Sequence, residues 1–361
     1  MRELSIDIET FSSVDIGKAG LYKYVQSEDF EILLFAYSFD NGQVKIIDLA
    51  QGEQLPQEVV AALSDKNVIK TAYNAAFEWY CLNKLWPTPI DQWSCTMVHG
   101  LYAGYPAGLK AIGNAIGLAE DKKKLATGTA LIRYFCVPCK PTKSNGGRLR
   151  NLPRHEPEKW KLFKEYCMQD VVTEMEIKKV LDKVTFPIEE QKLWEIDMQM
   201  NAFGVKVDRK LVEGALKIAG IRTEQLMIEA QNLSGLNNPN SIAQLKEWLE
   251  SETGQQVNSL NKKDVTGLIK NTDSEKVKRM LEIRQELSKT STKKYDAMAT
   301  AMGIDNRVRG LLQFYGANRT GRWAGRLVQV QNLPQNHLSM LDLARELVKN
   351  KNLEAIQVIY R

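Results

Sequence analysis

The stretch Leu4-Ser5-Ile6-Asp7-Ile8-Glu9-Thr10 decides the fold of this chain. Its apolar, β-prone residues predict a buried strand. Because side chains alternate across a strand, Asp7 and Glu9 point to the same face, at the edge of an apolar sheet. Two carboxylates held side by side repel each other, and a cation between them relieves that repulsion. An all-oxygen site favours Mg²⁺ or Mn²⁺, although two unrelated acids at a solvated strand end would show the same short pattern.

Two later segments carry further acids in patterns that extend this site. Residues 68–82 predict a strand that runs into a helix, with Asn74 at the helix N-cap and Glu78 in the first turn. In a later segment of helical periodicity, Tyr166 and Asp170 are four residues apart, so a phenol and a carboxylate project from the same helix face. The spacing alone also fits a core tyrosine on an amphipathic helix, so the three segments have to be considered together.

In order and spacing, the three motifs resemble those of the DEDDy 3′–5′ exonucleases, the proofreading domains of family-A DNA polymerases (the DNA polymerase I family) of bacteriophages and bacteria. The resemblance implies an α/β RNase H-like exonuclease domain, a mixed sheet flanked by helices, that hydrolyses phosphodiesters with two Mg²⁺ or Mn²⁺ ions. It also implies that Tyr166 orients the attacking water. The second motif departs from the family, because Glu78 stands where Asp is usual. The residues that match the metal-binding acids are Asp7, Glu9, Glu78 and Asp170.

Length and composition indicate an intracellular enzyme of two or three domains. The chain has 361 residues, of which 43% are hydrophobic, enough for sizeable cores. No apolar run reaches the ~18 residues of a transmembrane helix, and the N-terminus opens into a strand without a signal peptide. We therefore expect no membrane partner and a cytoplasmic location, in a bacterial or phage-infected host cell.

The five cysteines do not indicate a disulfide framework, because their number is odd. Cys136 and Cys139 form a lone Cys-x-x-Cys pair. A zinc site would need two further ligands, for which Cys95 and His99 are the conceivable partners. With only three histidines in the chain, we expect neither a zinc site nor a thiol-redox centre.

The chain has a net charge of +5, and two of its stretches are rich in Lys and Arg and contain no acid. The first runs from residue 122 to 155, between the second and third acidic motifs, and includes the loop-like residues 141–148. A mobile basic loop at this place would draw a phosphate backbone toward the metals, although an ordinary solvated surface has the same composition. The nine basic residues of this stretch are Lys122, Lys123, Lys124, Arg133, Lys140, Lys143, Arg148, Arg150 and Arg154.

The second basic stretch, residues 307–326, has five arginines interleaved with aromatic residues and glycines, a composition that suits phosphate and base-edge contacts. With the residues that follow, it resembles the family-A segment Thr-Gly-Arg…Gln-Asn-Leu-Pro at the entry to the polymerase palm, near the primer–template minor groove. The candidates for DNA contact in this segment are Arg319, Arg322, Gln331 and Asn332.

The region between the nuclease motifs and this segment is predicted to be helical. A long helix at residues 276–302 resembles the polymerase thumb, whose helices hold duplex DNA, although any helix hairpin with a charged outer face has the same pattern. The further candidates for DNA contact are Asn74, Arg284, Lys289 and Lys293. The predicted domains are a DEDDy exonuclease at 1–185, a helical thumb-like DNA-binding region at 186–303 and the incomplete start of a palm at 304–361.

The polymerase motifs of the family are not recognisable before Arg361: neither the two acidic motifs of the palm nor the nucleotide-binding helix of the fingers. We therefore predict a 3′–5′ exonuclease with DNA partners, single-stranded 3′ ends and primer–template duplex, that does not extend primers alone. The sequence fits three kinds of chain equally well. They are a fragment, a truncated product, and one half of a split polymerase whose palm and fingers come from the missing half.

Two alternatives remain from the sequence. One is a DNA-binding or polymerase-assembly module whose nuclease site is weak or vestigial, given Glu78. The other is a ribonuclease of RNA maturation, against which the thumb-like helices and Thr320-Gly321-Arg322 argue.

Overall fold

The structure, a computed structural model, describes residues 2–123, 127–289, 292–317, 320–333 and 335–360. Five strands of its N-terminal part form one mixed sheet, in which the first strand is antiparallel to the second and parallel to the fourth. In chain order the strands are β1 (Arg2–Phe11), β2 (Glu31–Phe39), β3 (Lys45–Asp48), β4 (Val68–Ala72) and β5 (Trp93–Cys95). Their order in the sheet is β3-β2-β1-β4-β5.

The sheet is flanked by helices, which confirms the predicted mixed sheet with flanking helices. The helices of this part are α1 (Ile16–Ala19), α2 (Leu21–Val25), α3 (Gln57–Ser64), α4 (Ala75–Asn83), α5 (Thr96–Tyr102), α6 (Leu109–Ala115), α7 (Gly128–Phe135) and α8 (Pro157–Leu181). The longest of them, α8, begins with a proline, which is pre-organised for a first helical turn, and it packs on β1 and β2.

The rest of the described chain is mainly helical. Its helices are α9 (Ile188–Phe203), α10 (Arg209–Ser234), α11 (Ile242–Thr253), α12 (Lys262–Asn271), α13 (Glu275–Leu287), α14 (Lys293–Ala301), α15 (Leu341–Lys349) and α16 (Leu353–Ile359). Its short strands are β6 (Val205–Lys206), β7 (Arg307–Val308), β8 (Leu312–Ala317) and β9 (Arg322–Gly325). None of the described helices is both long enough and apolar enough to cross a bilayer.

The prediction of one helix at residues 276–302 is wrong. Helix α13 ends at Leu287, with Ser288 at its C-cap, and α14 begins only at Lys293. Serine and threonine compete with the helix for backbone hydrogen bonds, and both are concentrated between these two helices in the sequence.

The described chain divides into two compact units that do not follow the predicted boundaries at 185 and 303. The first unit joins Met1–Lys206 with Thr300–Pro334, and the second joins Val207–Ala299 with Gln335–Arg361. Helix α9 belongs to the first unit because the Asn201 amide pairs with both backbone groups of Leu312 on β8, at 2.9 and 3.0 Å. As a division by function, the segments 1–185, 186–303 and 304–361 stay predictions.

Candidate active site

A cavity of about 550 Å³ in the first unit contains the predicted catalytic residues. It lies beside the second half of β1 and just beyond the end of β4, which runs parallel to β1. Residues from three separate stretches of the sequence therefore line one space. The predicted site residues in its lining are Asp7, Glu9, Asn74, Glu78, Tyr166 and Asp170.

The local backbone explains how the first two motifs reach the cavity. The β1–β2 register shifts between Glu9 and Thr10, and such irregularities re-aim side chains beside functional sites. Asn74 occupies the predicted N-cap position of α4, but its side chain makes no capping hydrogen bond. Its amide instead lines the cavity, which leaves it available to a ligand.

Two cysteines that the sequence analysis did not assign to the site contact the carboxylates of β1. The Cys167 thiol donates to Asp7 Oδ2 at 3.4 Å, and the Cys136 thiol donates to Glu9 Oε2 at 3.7 Å. Burial, and then the neighbouring carboxylate, raises the pKa of each thiol well above its ordinary value, so both stay neutral donors. Cys167 could have been assigned to the site from the sequence, because it lies inside the third motif. Cys139 donates instead to the Arg148 carbonyl at 3.3 Å, so the thiols of the Cys-x-x-Cys pair have different partners.

Glu78 is a buried acid of the cavity. It is 5% exposed, and burial followed by the charge of Asp7 raises its pKa well above the ordinary value. Within the described residues its Oε2 atom has no hydrogen-bond partner. A buried carboxylate oxygen without a partner is costly unless a proton or a cation stabilises it.

Tyr166 lies in the cavity wall with its ring almost fully buried. Burial and then the charge of Asp170 raise the pKa of its phenol, so the hydroxyl keeps its proton at neutral pH. The ring stacks on Phe163, with 6.2 Å between the centroids. On the other side it lies against Gly128 at the start of α7, where a Cβ atom would overlap the Tyr166 ring. The absence of a side chain at Gly128 therefore lets the phenol occupy its place.

A second buried acid, Glu174, lies one helical turn beyond Asp170 on α8. It is 2% exposed and accepts a hydrogen bond from the Thr96 hydroxyl. Burial, which the Thr96 bond only partly offsets, raises its pKa to about 7. The sequence analysis did not single it out, although it continues the spacing of four residues from Tyr166 through Asp170.

We expect Glu174 to make stability fall as the pH rises. Its folded pKa of about 7 exceeds its unfolded value of 4.5, so its stabilising contribution is complete below pH 4.5 and is lost as the pH rises through 7. Glu174→Gln should therefore raise the free energy of unfolding at pH 8 by on the order of 3 kcal/mol relative to wild type, and much less at pH 4.5. Urea unfolding in chelator measures this difference. Glu165→Gln, an exposed position of α8, is the control, and equal pH dependence of wild type and Glu174→Gln would contradict the expectation.

The other candidates for DNA contact lie outside the cavity. Arg322 opens β9 and is exposed, and the Gln331 amide lies against Gly325 in the same compact unit. Asn332 donates to Gln329 Oε1 at 3.2 Å. Arg319 lies outside the described residues.

The candidates in the helical region belong to the second compact unit. Arg284 on α13 donates to Asn240 Oδ1 at 2.7 Å. Lys289 and Lys293 are exposed, one on each side of the break between α13 and α14. Arg284 is half-buried, in contrast to the two lysines, and the contact of these three residues with DNA stays a prediction.

Comparison with known proteins gives a relative and a similar fold. No family model matches the chain. Its fold is similar to the POL domain of Pol1 from M. smegmatis, solved in complex with DNA primer-template and dNTP, at a TM-score of 0.54 and 13% identity, over 97% of this chain and 54% of that one. Over its whole length the chain is 56% identical to a DNA polymerase of Bacillus phage SP02, and the match covers 55% of that polymerase. By sequence, the chain is a relative of this phage DNA polymerase.

This finding confirms the resemblance to a phage DNA polymerase. The chain spans about half the length of the phage polymerase that it matches. A second solved structure, Brucella melitensis NrnC bound to pGG, matches 55% of the chain at 17% identity, and the match covers 79% of that protein. Its TM-score of 0.33 is below the level that indicates a shared fold.

Proposed function

We propose that this chain carries a metal-dependent 3′–5′ exonuclease that removes nucleotides from DNA ends, the proofreading activity of a family-A polymerase. The observation that carries the proposal is the cavity in which Asp7, Glu9, Glu78, Asp170 and Tyr166 meet. The order of the strands and the flanking helices support an RNase H-like fold for this part. The preferred substrate is a single-stranded or frayed 3′ end, because one strand end fits a cavity of this size.

The residues of the cavity fit divalent cations. Carboxylates are the ligands that Mg²⁺ and Mn²⁺ prefer, and the buried Glu78 oxygen without a hydrogen-bond partner is the kind of atom that a cation stabilises. Asp7, Glu9, Glu78 and Asp170 would hold the ions. Two such ions would supply an activated water and stabilise the leaving oxygen of an in-line displacement.

The chain's own groups orient the substrate and the attacking water. The protonated Tyr166 phenol both donates and accepts, so it holds a water molecule in line with the phosphate. The thiols of Cys136 and Cys167 fix the carboxylates of β1 by donating to them. The Asn74 amide, which is not used for capping, contacts the terminal nucleotide.

The remaining segments are proposed to bind duplex DNA. Arg284, Lys289 and Lys293 in the thumb-like region contact phosphates, and Arg322, Gln331, Asn332 and Arg319 contact the primer–template near the start of the palm. Since the polymerase motifs of the family are not recognisable in these 361 residues, we propose that they do not extend primers alone.

Removal of the metal tests the proposal. With Mg²⁺ or Mn²⁺, 5′-labelled single-stranded DNA is expected to shorten from its 3′ end, and chelator should abolish the shortening because four acids then face each other without cations. A gel time course measures the products. A ladder that persists in chelator, or products that shorten from the 5′ end, would contradict the proposed reaction.

A second candidate is a DNA-binding module with a weak nuclease site. One observation favours it: within the described residues, no three His, Cys, Asp or Glu side chains are already grouped to hold one ion. The carboxylates would have to move together when the ions bind. The Glu78 side chain, which is one methylene longer than the usual Asp, would have to take part in that movement. Tight binding of DNA without metal-dependent cleavage would support this candidate.

A further inference from the structure

The loop between α7 and α8 begins in the lining of the cavity and returns to strand β1. Its outgoing end, Cys136, Val137 and Pro138, is part of the cavity lining. At its returning end, the Arg150 guanidinium lies 3.9 Å over the ring of Phe11, two residues beyond Glu9 on β1. The loop therefore starts in the lining of the carboxylate site and returns to the strand that carries Asp7 and Glu9, so a ligand bound along it lies next to that site.

One side chain organises the tip of this loop. The Asn145 amide donates to the carbonyls of Lys140 and Arg148, and its oxygen accepts from the backbone N–H groups of Thr142 and Gly147. At the base of the tip, the Cys139 N–H donates to the Leu149 carbonyl at 2.8 Å. The loop thus has an internal scaffold even though it contains two consecutive glycines, and its surface groups are held in place before a ligand arrives.

The charge of the loop is almost entirely uncompensated. Residues 133–155 contain no acid. Within the described residues Arg150 pairs with Glu31 at 2.6 Å, whereas Arg148 donates only to the neutral groups of Asn151 and Tyr134. The remaining basic residues, which form no ion pair within the described residues, are Arg133, Lys140, Lys143 and Arg154.

We propose that this basic loop, residues 137–154, binds the backbone phosphates of the single strand that leads into the cavity, upstream of the 3′ end. This inference rests on the proposed function and assigns it a substrate subsite. When cationic side chains without acidic partners bind DNA phosphates, the counterions of the DNA are released. That release gives an affinity that does not depend on the DNA sequence.

The apolar side chains of the loop favour a single strand over a duplex. Val137 is 45% exposed and Leu149 is 66% exposed, and both stand among the basic residues. Unpaired bases expose their apolar faces and can lie on such side chains, whereas a duplex keeps those faces stacked. The same surface therefore offers cations for the backbone and apolar contacts for the bases.

The test is the salt dependence of DNA binding, measured in chelator so that no hydrolysis is needed. Anisotropy of a labelled single-stranded DNA oligonucleotide gives the dissociation constant at several salt concentrations. For Lys140→Ala/Lys143→Ala, the slope of log affinity against log salt should become shallower by about 0.7 for each phosphate that the variant no longer neutralises. Asn145→Ala, which keeps every charge, should weaken binding without the same change of slope.

The matched control is Lys45→Ala/Lys66→Ala, which removes two exposed lysines that do not line the cavity. An unchanged slope in Lys140→Ala/Lys143→Ala, or the same change in the control, would overturn the inference. A change seen with RNA of the same sequence but not with DNA would overturn it as well. Because binding is read without metal, a chain that binds in this way but does not cleave would leave the inference intact while the proposed exonuclease fails.

Discussion

Asp7→Ala is expected to reduce 3′–5′ hydrolysis of DNA by at least about 100-fold, because even the loss of an outer partner of a metal ligand typically costs 10–100-fold. Asp7 is the acid whose charge most perturbs Glu78, so both face the same space. Removing it removes one ligand and one of the charges that would hold the ions. The measurement is the initial rate of nucleotide release from labelled single-stranded DNA at saturating Mg²⁺.

The same substitution should not destabilise the fold. Since the Asp7 charge raises the pKa of Glu78, its removal relieves repulsion, and we expect the unfolding midpoint in chelator to be equal or higher. Asp91→Ala, an exposed acid outside the cavity, is the matched control and should retain the wild-type rate. If Asp7→Ala hydrolyses DNA as the control does, the site assignment is wrong.

Gly128→Ala is expected to reduce hydrolysis by on the order of 100-fold without removing any functional group, because a shift of about 1 Å in a catalytic group can cost that much. The added Cβ would overlap the Tyr166 ring, which is stacked on Phe163 and cannot move freely in that direction. The phenol must therefore leave its place in the cavity wall. The turnover of labelled DNA and the unfolding midpoint should be measured together.

Gly220→Ala provides the comparison for that variant. Gly220 lies inside α10 with no heavy atom within 4 Å of an added Cβ, so alanine should raise stability by up to ~1 kcal/mol through helix propensity alone. Its hydrolysis rate should match wild type. A Gly128→Ala enzyme that works at the wild-type rate would show that the position of Tyr166 does not limit the reaction.

The parts of the site that follow from local periodicity were predictable. The alternation of a strand places Asp7 and Glu9 on one face, and a spacing of four places Tyr166 and Asp170 on one side of a helix. Each relation needs only residues that are close in sequence. The meeting of these stretches in one cavity follows from the parallel pairing of β1 and β4, which local periodicity does not encode. The family resemblance supplied only the expected RNase H-like fold with its mixed sheet.

The relations that were missed are all contacts between distant segments. The approach of Gly128 to Tyr166, and of the thiols to Asp7 and Glu9, depends on how α8 packs on β1 and α7 packs on α8, which no periodicity encodes. The break between α13 and α14 was missed for a different reason. The charged residues on both sides continue a helical pattern, and the signal lay only in the short run of serine and threonine between them.

The hydrogen bonds between Asn201 and Leu312 affect the order in which the chain folds during translation. The first compact unit receives its last strands only after residues 207–299 have been synthesised, so its completion is late even though its sheet is made early. An insertion of that length is tolerated because the entropic penalty of closing a loop grows only with the logarithm of its length. A nuclease fragment cut after residue 185 would lose Trp194 and Met198 from its hydrophobic core, so an independently folding fragment has to keep α9 and the returning strands.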